Sequence, residues 1–345
     1  MNAQVMPTTN APETARPAFG TVLASQMAVA SWKDGRWSQH DFRKYGPIEL
    51  SPAIHALHYG SACFEGFKAY RWADGSVNVF RMDRHIARLQ NSADCLRLPK
   101  PDAAQTAAMV TGVIDRVRGE VPDAPGALYL RPTLFGTGAS IGGATAPATE
   151  AMLVVLASPV WDYFAGGEKP LRIYVEEKLT RTSTLMGQVK AAGNYAAALG
   201  PTLAARQQYQ ADQVLFCPGG SVQETGAANF LLIREGRILT RSLDTTFLHG
   251  ITRDSLLTIA PQLGFAVEER QFPVDEMLAW VKDGEAALCG TAAVLSGVGT
   301  LVREGGREVA VGSGEVGPHT KRLRKALVSM QRGEIPTPTG WITRV

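Results

Sequence analysis

The apolar period along the chain changes several times, and each change marks an element. From residue 27 to 80 the apolar positions come in short runs broken by turn residues, which predicts short strands; "VNVFR" (77–81) alternates after the turn "ADGS". At Met82 the period lengthens. Ile86, Leu89, Ala93 and Leu96 fall three and four apart with Asp83 near the start, so a helix is expected over 82–98. "DAAQTAAMVTGVIDRVRG" (102–119) predicts a second helix, ended by Gly119. "ALYLRPTLFG" (127–136) and "EAMLVVLASPVW" (150–161) read as strands, with a loop of Gly, Ala, Ser and Thr between them.

"DYFAGGEKP" (162–170) carries a Gly pair and a Pro between strand-like segments, which suits a linker. "LRIYVEEKL" then alternates. A helix over 194–209, the strand "QVLFC" and a hairpin, "NFLLIREGRILT", turning at Glu235-Gly236, follow. Helices are expected over 252–263, 274–283 and 318–331, the last on an apolar stripe of Leu323, Ala326, Leu327 and Met330. Strands "EAALCG" and "AAVLSGV" lie among them. Strands and helices mix without regular βαβ alternation, so the expected class is α+β in two domains. Residues 1–25 would be a loosely ordered segment, 26–160 a smaller α+β domain, 161–170 the interdomain loop and 171–345 a larger α+β domain.

Composition narrows the function classes. With 345 residues and 45% apolar residues the chain can bury a core without disulfides or metals. Its net charge of +3, from 35 basic against 32 acidic residues, is too balanced to point to nucleic acid or a membrane surface. Cys63, Cys95, Cys217 and Cys289 form no CxxC pair and the six histidines show no HExxH spacing, so no metal site or disulfide framework is expected. No run of eighteen apolar residues exists, and the first twenty residues lack a signal-peptide core, so a cytoplasmic protein with reduced thiols is expected.

"QVKAAGNY" (188–195) holds the candidate chemistry. A lysine picked blindly is a solvated side chain. Lys190, however, stands among Ala191, Ala192 and Gly193, which let another group approach closely. A nucleophilic lysine also needs an apolar surround, because free lysine is almost wholly protonated at neutral pH.

Six stretches occur in order: "HYGSACFEGFKAYR" (58–71), "YLRP" (129–132), "VKAAGNY" (189–195), "SVQETGAANFLL" (221–232), "FLHGITRDSLL" (247–257) and "CGTAAVL" (289–295). From about residue 28 to the end, this set resembles the branched-chain amino acid aminotransferases, pyridoxal phosphate enzymes of the D-alanine aminotransferase-like fold (fold type IV). The resemblance implies that Lys190 forms the Schiff base with pyridoxal 5'-phosphate and shuttles a proton. It implies that Glu224 pairs with the pyridine nitrogen and Tyr195 with the phenolic oxygen. Arg88, Ile251, Thr252 and Thr291 would hold the phosphate at a helix start, with Thr252 as a candidate cap.

On the substrate side the resemblance implies apolar walls from Tyr59, Phe64, Tyr129 and either Trp161 or Tyr163. Arg131 and the Tyr59 hydroxyl would meet a glutamate side chain, and Tyr129 with the Thr291 and Ala292 amides the α-carboxylate. The reaction implied is reversible amino transfer between L-leucine, L-isoleucine or L-valine and 2-oxoglutarate. A homodimer is implied, with the loop 136–149 reaching into the neighbouring site. Gly143, Ile141 and Ala227 differ from the residues of some relatives, and the redox CxxC of mitochondrial relatives is missing after Thr291. The rival readings are a D-amino acid aminotransferase or aminodeoxychorismate lyase of the same fold, and a non-catalytic protein that binds the cofactor.

Overall fold

The computed structural model describes residues 17–161 and 169–345. Their strands form two sheets. The first has nine strands, in the order Ile342–Arg344, Val77–Phe80, Phe67–Arg71, Ala127–Gly136, Ala151–Val160, Gln26–Lys33 and Arg36–Trp37. Ala62–Phe64 and Asp41–Lys44 are added on its sides. The second has eight, in the order Gln213–Phe216, Leu171–Glu176, Val294–Val302, Glu285–Gly290, Asn229–Arg234, Arg237–Thr240 and Ala266–Glu269, with Glu308–Ala310 beside Val294–Val302. The expected α+β class is borne out.

The long apolar strands read at 127–136 and 150–161 are Ala127–Gly136 and Ala151–Val160, antiparallel from Ala127↔Val160 to Gly136↔Ala151. Helix Met82–Cys95 lies on this sheet and buries Ile86, Leu89 and Ala93, as the spacing predicts. A leucine as fully enclosed as Leu89 contributes roughly 2 kcal/mol. Helix Ala103–Arg116 starts where the Asp102 side chain accepts the Gln105 N–H at 2.7 Å. A middle core joins the halves: Tyr70, Phe80 and Val160 from the first sheet meet Leu231, Leu323 and Leu327 from the second half.

Several boundaries differ from the sequence reading. The helix expected over 252–263 is α-helical only over Ile251–Ile259 and tightens to a 3₁₀ turn at Ala260–Leu263. Pro261 has no N–H with which to continue the ladder. The helix expected over 274–283 ends at Trp280, where Gly284 passes under the indole; a Cβ at 284 would lie 2.7 Å from Trp280 Cδ1. A short helix, His55–Tyr59, went unread because five residues carry no helical period. Ile342–Arg344, placed by sequence with the second half, returns to pair with Asn78–Phe80, and Trp341 meets Phe80 edge-on at 5.5 Å. In the described part of the N-terminal segment, Ala24 is buried and Phe19 packs on Tyr129 at 5.0 Å.

Candidate active site

Lys190 lies in the seam between the two sheets. Its backbone is fixed by the first half: Phe64 N–H donates to the Lys190 carbonyl at 3.1 Å, and Lys190 N–H to Ser92 Oγ at 3.1 Å. Helix Ala192–Tyr209 begins two residues later, and its Asn194 Nδ2 donates back to the Met186 and Val189 carbonyls, tying down the loop that carries the lysine. The amine donates to Tyr195 Oη at 2.7 Å and lies 5.1 Å from the Phe64 ring centroid. Small residues at 191–193 therefore mark a helix start beside the half-buried Lys190, with Ala191 buried and Ala192 and Gly193 exposed.

Glu224 faces the same cavity from the second sheet. Its Oε1 accepts the Leu248 N–H at 2.9 Å and lies 2.7 Å from Arg181 Nη2; Oε2 accepts from Asn229 Nδ2 at 3.0 Å. Burial pushes its pKa up to about 7, against the pull of Arg181, the Leu248 amide, Lys190 and Arg88.

Arg88 is held in place by a buried carboxylate. Its Nε and Nη2 donate to the two Glu65 oxygens at 2.6 and 2.9 Å, and its Nη1 to the His249 carbonyl at 2.9 Å. Three of its five N–H groups are thereby engaged, and the guanidinium also borders the cavity. Burial alone would raise the Glu65 pKa; Arg88 and His85 outweigh it and hold the carboxyl well below the usual range. Burial lowers the pKa of His85, so a neutral ring donates from Nδ1 to Glu65 Oε2 at 2.7 Å. His85, Arg88 and Ser92 form one polar stripe on the helix that otherwise buries Ile86 and Leu89.

Opposite Arg88 a helix presents open amides. The first intrahelical bond runs from Asp254 N–H to the Gly250 carbonyl, so the amides of Ile251, Thr252 and Arg253 precede it. Thr252 is not the cap that the sequence suggested. Gly250 occupies that position because a Cβ there would lie 1.9 Å from Asn229 Oδ1. A third wall is the turn between Glu285–Gly290 and Val294–Val302, closed by Val294 at a left-handed φ of 61°. A β-branched residue rarely adopts that conformation. Lys68 Nζ at 2.8 Å and Arg324 Nη1 at 2.5 Å hold the Ala292 and Ala293 carbonyls, fixing the turn that bears Thr291 and Ala292.

These walls enclose a cavity of about 560 Å³ lined by Arg88, Lys190, Tyr195, Glu224, Ile251, Thr252, Thr291 and Ala292, together with Phe64, Tyr129 and Arg131. Arg131 Nη2 donates to Tyr129 Oη at 3.0 Å and its guanidinium covers the Phe64 ring at 4.4 Å, while its buried Nε has no hydrogen-bond partner. Gly66 makes room for Tyr129, since a Cβ at 66 would lie 1.7 Å from Tyr129 Oη. Gly66→Ala should cost about 1–3 kcal/mol in chemical denaturation and raise KM for the amino acid more than it lowers kcat.

Tyr59 does not line its own chain's cavity. It ends the short helix His55–Tyr59, and its hydroxyl donates to the Ile141 carbonyl in the loop 136–149. Trp161 lines a neighbouring cavity behind Ala292 and Ala293, and Tyr163 lies outside the described residues. Sequence reasoning missed Glu65, His85, Arg181, Asn194, Asn229 and Phe19. A helical polar stripe at 85, 88 and 92 was the available signal for His85.

The chemistry of the lining groups fits pyridoxal phosphate. Arg88 and three helix-start amides suit a phosphate, Glu224 a ring nitrogen, Tyr195 a phenolic oxygen and Lys190 an aldehyde. The fold and this donor set define a pyridoxal phosphate-dependent transaminase, and the family model described as amino-transferase class IV matches residues 62–300; the chain belongs to that family. Among curated relatives, the "Probable branched-chain-amino-acid aminotransferase" of Streptomyces coelicolor is 38% identical over 95% of this chain and 92% of its own. The "Branched-chain-amino-acid aminotransferase" of Mycobacterium tuberculosis is also 38% identical, over 95% and 92%. Among solved structures, the branched-chain aminotransferase of Thermoproteus uzoniensis with norvaline superposes with a TM-score of 0.73 at 25% identity, over 92% of this chain and 99% of that one. The Escherichia coli branched-chain amino acid aminotransferase gives 0.74 at 25%, over 91% and 98%.

Proposed function

We propose that the chain transfers an amino group reversibly between a branched-chain L-amino acid and 2-oxoglutarate. The observation that carries this reading is the convergence of Lys190, Tyr195, Glu224 and Arg88 on one cavity whose remaining wall is aromatic and arginine-bearing. Bound pyridoxal phosphate supplies an aldehyde that exchanges oxygen for nitrogen and a ring that withdraws electrons from the substrate Cα. Arg88 and the amides of 251–253 would hold the phosphate. Glu224 would keep a proton on the ring nitrogen, and the Lys190 amine would carry the proton between Cα and the cofactor carbon that bore the aldehyde.

Two kinds of side chain must share the substrate end. Phe64 and Tyr129 would receive the leucine branch. The Arg131 guanidinium, which borders the cavity, would pair with the γ-carboxylate when glutamate is bound. The Thr291 and Ala292 amides would hold the α-carboxylate common to both. The 136–149 loop exposes Ile141 (76%), the short helix His55–Tyr59 exposes Leu57 (70%), and Tyr59 is bonded to that loop. We propose that this surface pairs with a second copy of the chain, where Tyr59 and Ile141 complete the neighbour's cavity, in a cytoplasmic homodimer.

Steady-state assay with 2-oxoglutarate as acceptor tests the substrate class. L-leucine, L-isoleucine and L-valine should turn over at least about 10²-fold better in kcat/KM than D-alanine. Preference for D-alanine would overturn the reading.

A further inference from the structure

We propose that Arg181 is a positioning residue for the transfer reaction: it favours the ionised Glu224 carboxylate and ties it to the segment that carries Lys190. The inference rests on the function proposed above. Arg181 touches none of the reacting groups named there, but its Nη2 lies 2.7 Å from Glu224 Oε1 and donates to the Gly187 carbonyl at 2.9 Å. Both side chains of the pair are 4% exposed, so water screens the contact little.

The guanidinium joins Glu224 to the lysine loop, and a third segment packs on both. Gly187 lies three residues before the reactive amine and is pressed against the next segment, since a Cβ there would be 2.0 Å from the Thr246 carbonyl carbon. Two residues on, Leu248 gives its N–H to the same Glu224 oxygen that Arg181 approaches, and its carbonyl accepts from Asn229 Nδ2 at 2.8 Å. The carboxylate and the lysine loop are thus held to one planar cation, and the 246–248 strap is held to the carboxylate.

The charge has a second role. The ionisable groups facing Glu224 are Arg181, Lys190 and Arg88, with the thiol of Cys289 behind it. Arg181 is the strongest influence against burial, which by itself favours the neutral acid. A protonated Glu224 could no longer stabilise a cationic ring nitrogen, and the cofactor would lose much of its pull on electrons at Cα. Replacing Arg181 with a neutral side chain removes both the anchor and the charge, whereas Arg181→Lys keeps the charge alone.

The test uses Arg181→Gln and Arg181→Lys. Infrared difference spectra of the apoproteins, with Glu224→Gln to assign the carboxylic band, follow Glu224 protonation directly. The midpoint should rise by about one unit or more in Arg181→Gln and by less in Arg181→Lys. In the holoenzymes Arg181→Gln should lower kcat about 10- to 100-fold with KM little changed, most at acid pH, and Arg181→Lys should recover part of it. An unshifted midpoint, or a loss equal at every pH and equally deep in Arg181→Lys, overturns the proposal. If Arg181→Gln does not fold, Arg181→Met takes its place, an unchanged midpoint counting against the proposal. Failure of the wild-type protein to bind pyridoxal phosphate would sink the functional reading instead, and the apoprotein spectra would still report on Arg181.

Discussion

Lys190→Ala is expected to abolish turnover, by at least about 10³-fold. The side chain has two roles, as the nucleophile that receives the aldehyde and as the carrier of the Cα proton. Proton transfer by a positioned group alone is worth about 10²–10⁴-fold. The fold should survive the change. The Lys190 N–H and carbonyl make the bonds to Ser92 Oγ and Phe64 that pin this segment, and alanine retains both. A small primary amine added to the variant should restore part of the rate if the lost group is a general base. Unchanged melting with lost turnover, followed by partial rescue, is the expected pattern. Retained turnover would remove Lys190 from the mechanism.

The second large effect is on stability. Glu65→Ala leaves the Arg88 guanidinium buried opposite a void, and removing one partner of a buried ion pair costs about 3–5 kcal/mol. Chemical denaturation of the apoprotein should show that loss. The double variant Glu65→Leu/Arg88→Leu should regain much of it, because no unpaired charge remains, yet bind pyridoxal phosphate as poorly as Arg88→Leu. Should Glu65→Ala be as stable as wild type, the clamp would be shown to carry no weight.

The sign with pH separates the two buried acids. Glu65 has a folded pKa below its ordinary 4.5, so its contribution is present above that value and is lost as pH falls. Glu224 is displaced upward, from 4.5 to about 7. The folded apoprotein therefore holds more protons than the unfolded chain across that window, and Glu224's share of the stability declines as pH rises through it. Acid should thus weaken the Arg88 clamp while relieving the strain at Glu224.

Some of this was legible in the sequence because it is local. The helix at 318–331 has the bounds expected of it, since Pro318 opens it and its apolar stripe is regular. Lys190 and Tyr195 are joined by one short loop and one helix turn, so their spacing already placed them together. Arg88 was harder. Its helix also carries Arg84, so that only its spacing, eight residues beyond Phe80, favoured it; what holds it in the structure is Glu65, twenty-three residues back on another segment. Arg181 and Asn229 went unread for the same reason, since their purpose is set by a carboxylate that only tertiary packing brings to them. Tyr59 was read as a wall of the substrate pocket with no chain assigned to that pocket; Gly60 ends its helix in a left-handed turn and the Tyr59 hydroxyl reaches the 136–149 loop, away from its own chain's cavity.

The central claim is that the Lys190 amine and the Glu224 carboxylate operate on one bound pyridoxal phosphate. The visible absorbance spectrum of the purified, cofactor-loaded protein tests it most directly. L-leucine alone should bleach the band of the lysine-bound cofactor, and 2-oxoglutarate added afterwards should restore it, one half of the reaction at a time. A band that L-leucine leaves untouched, or one that Lys190→Ala still forms and cycles, would contradict the account.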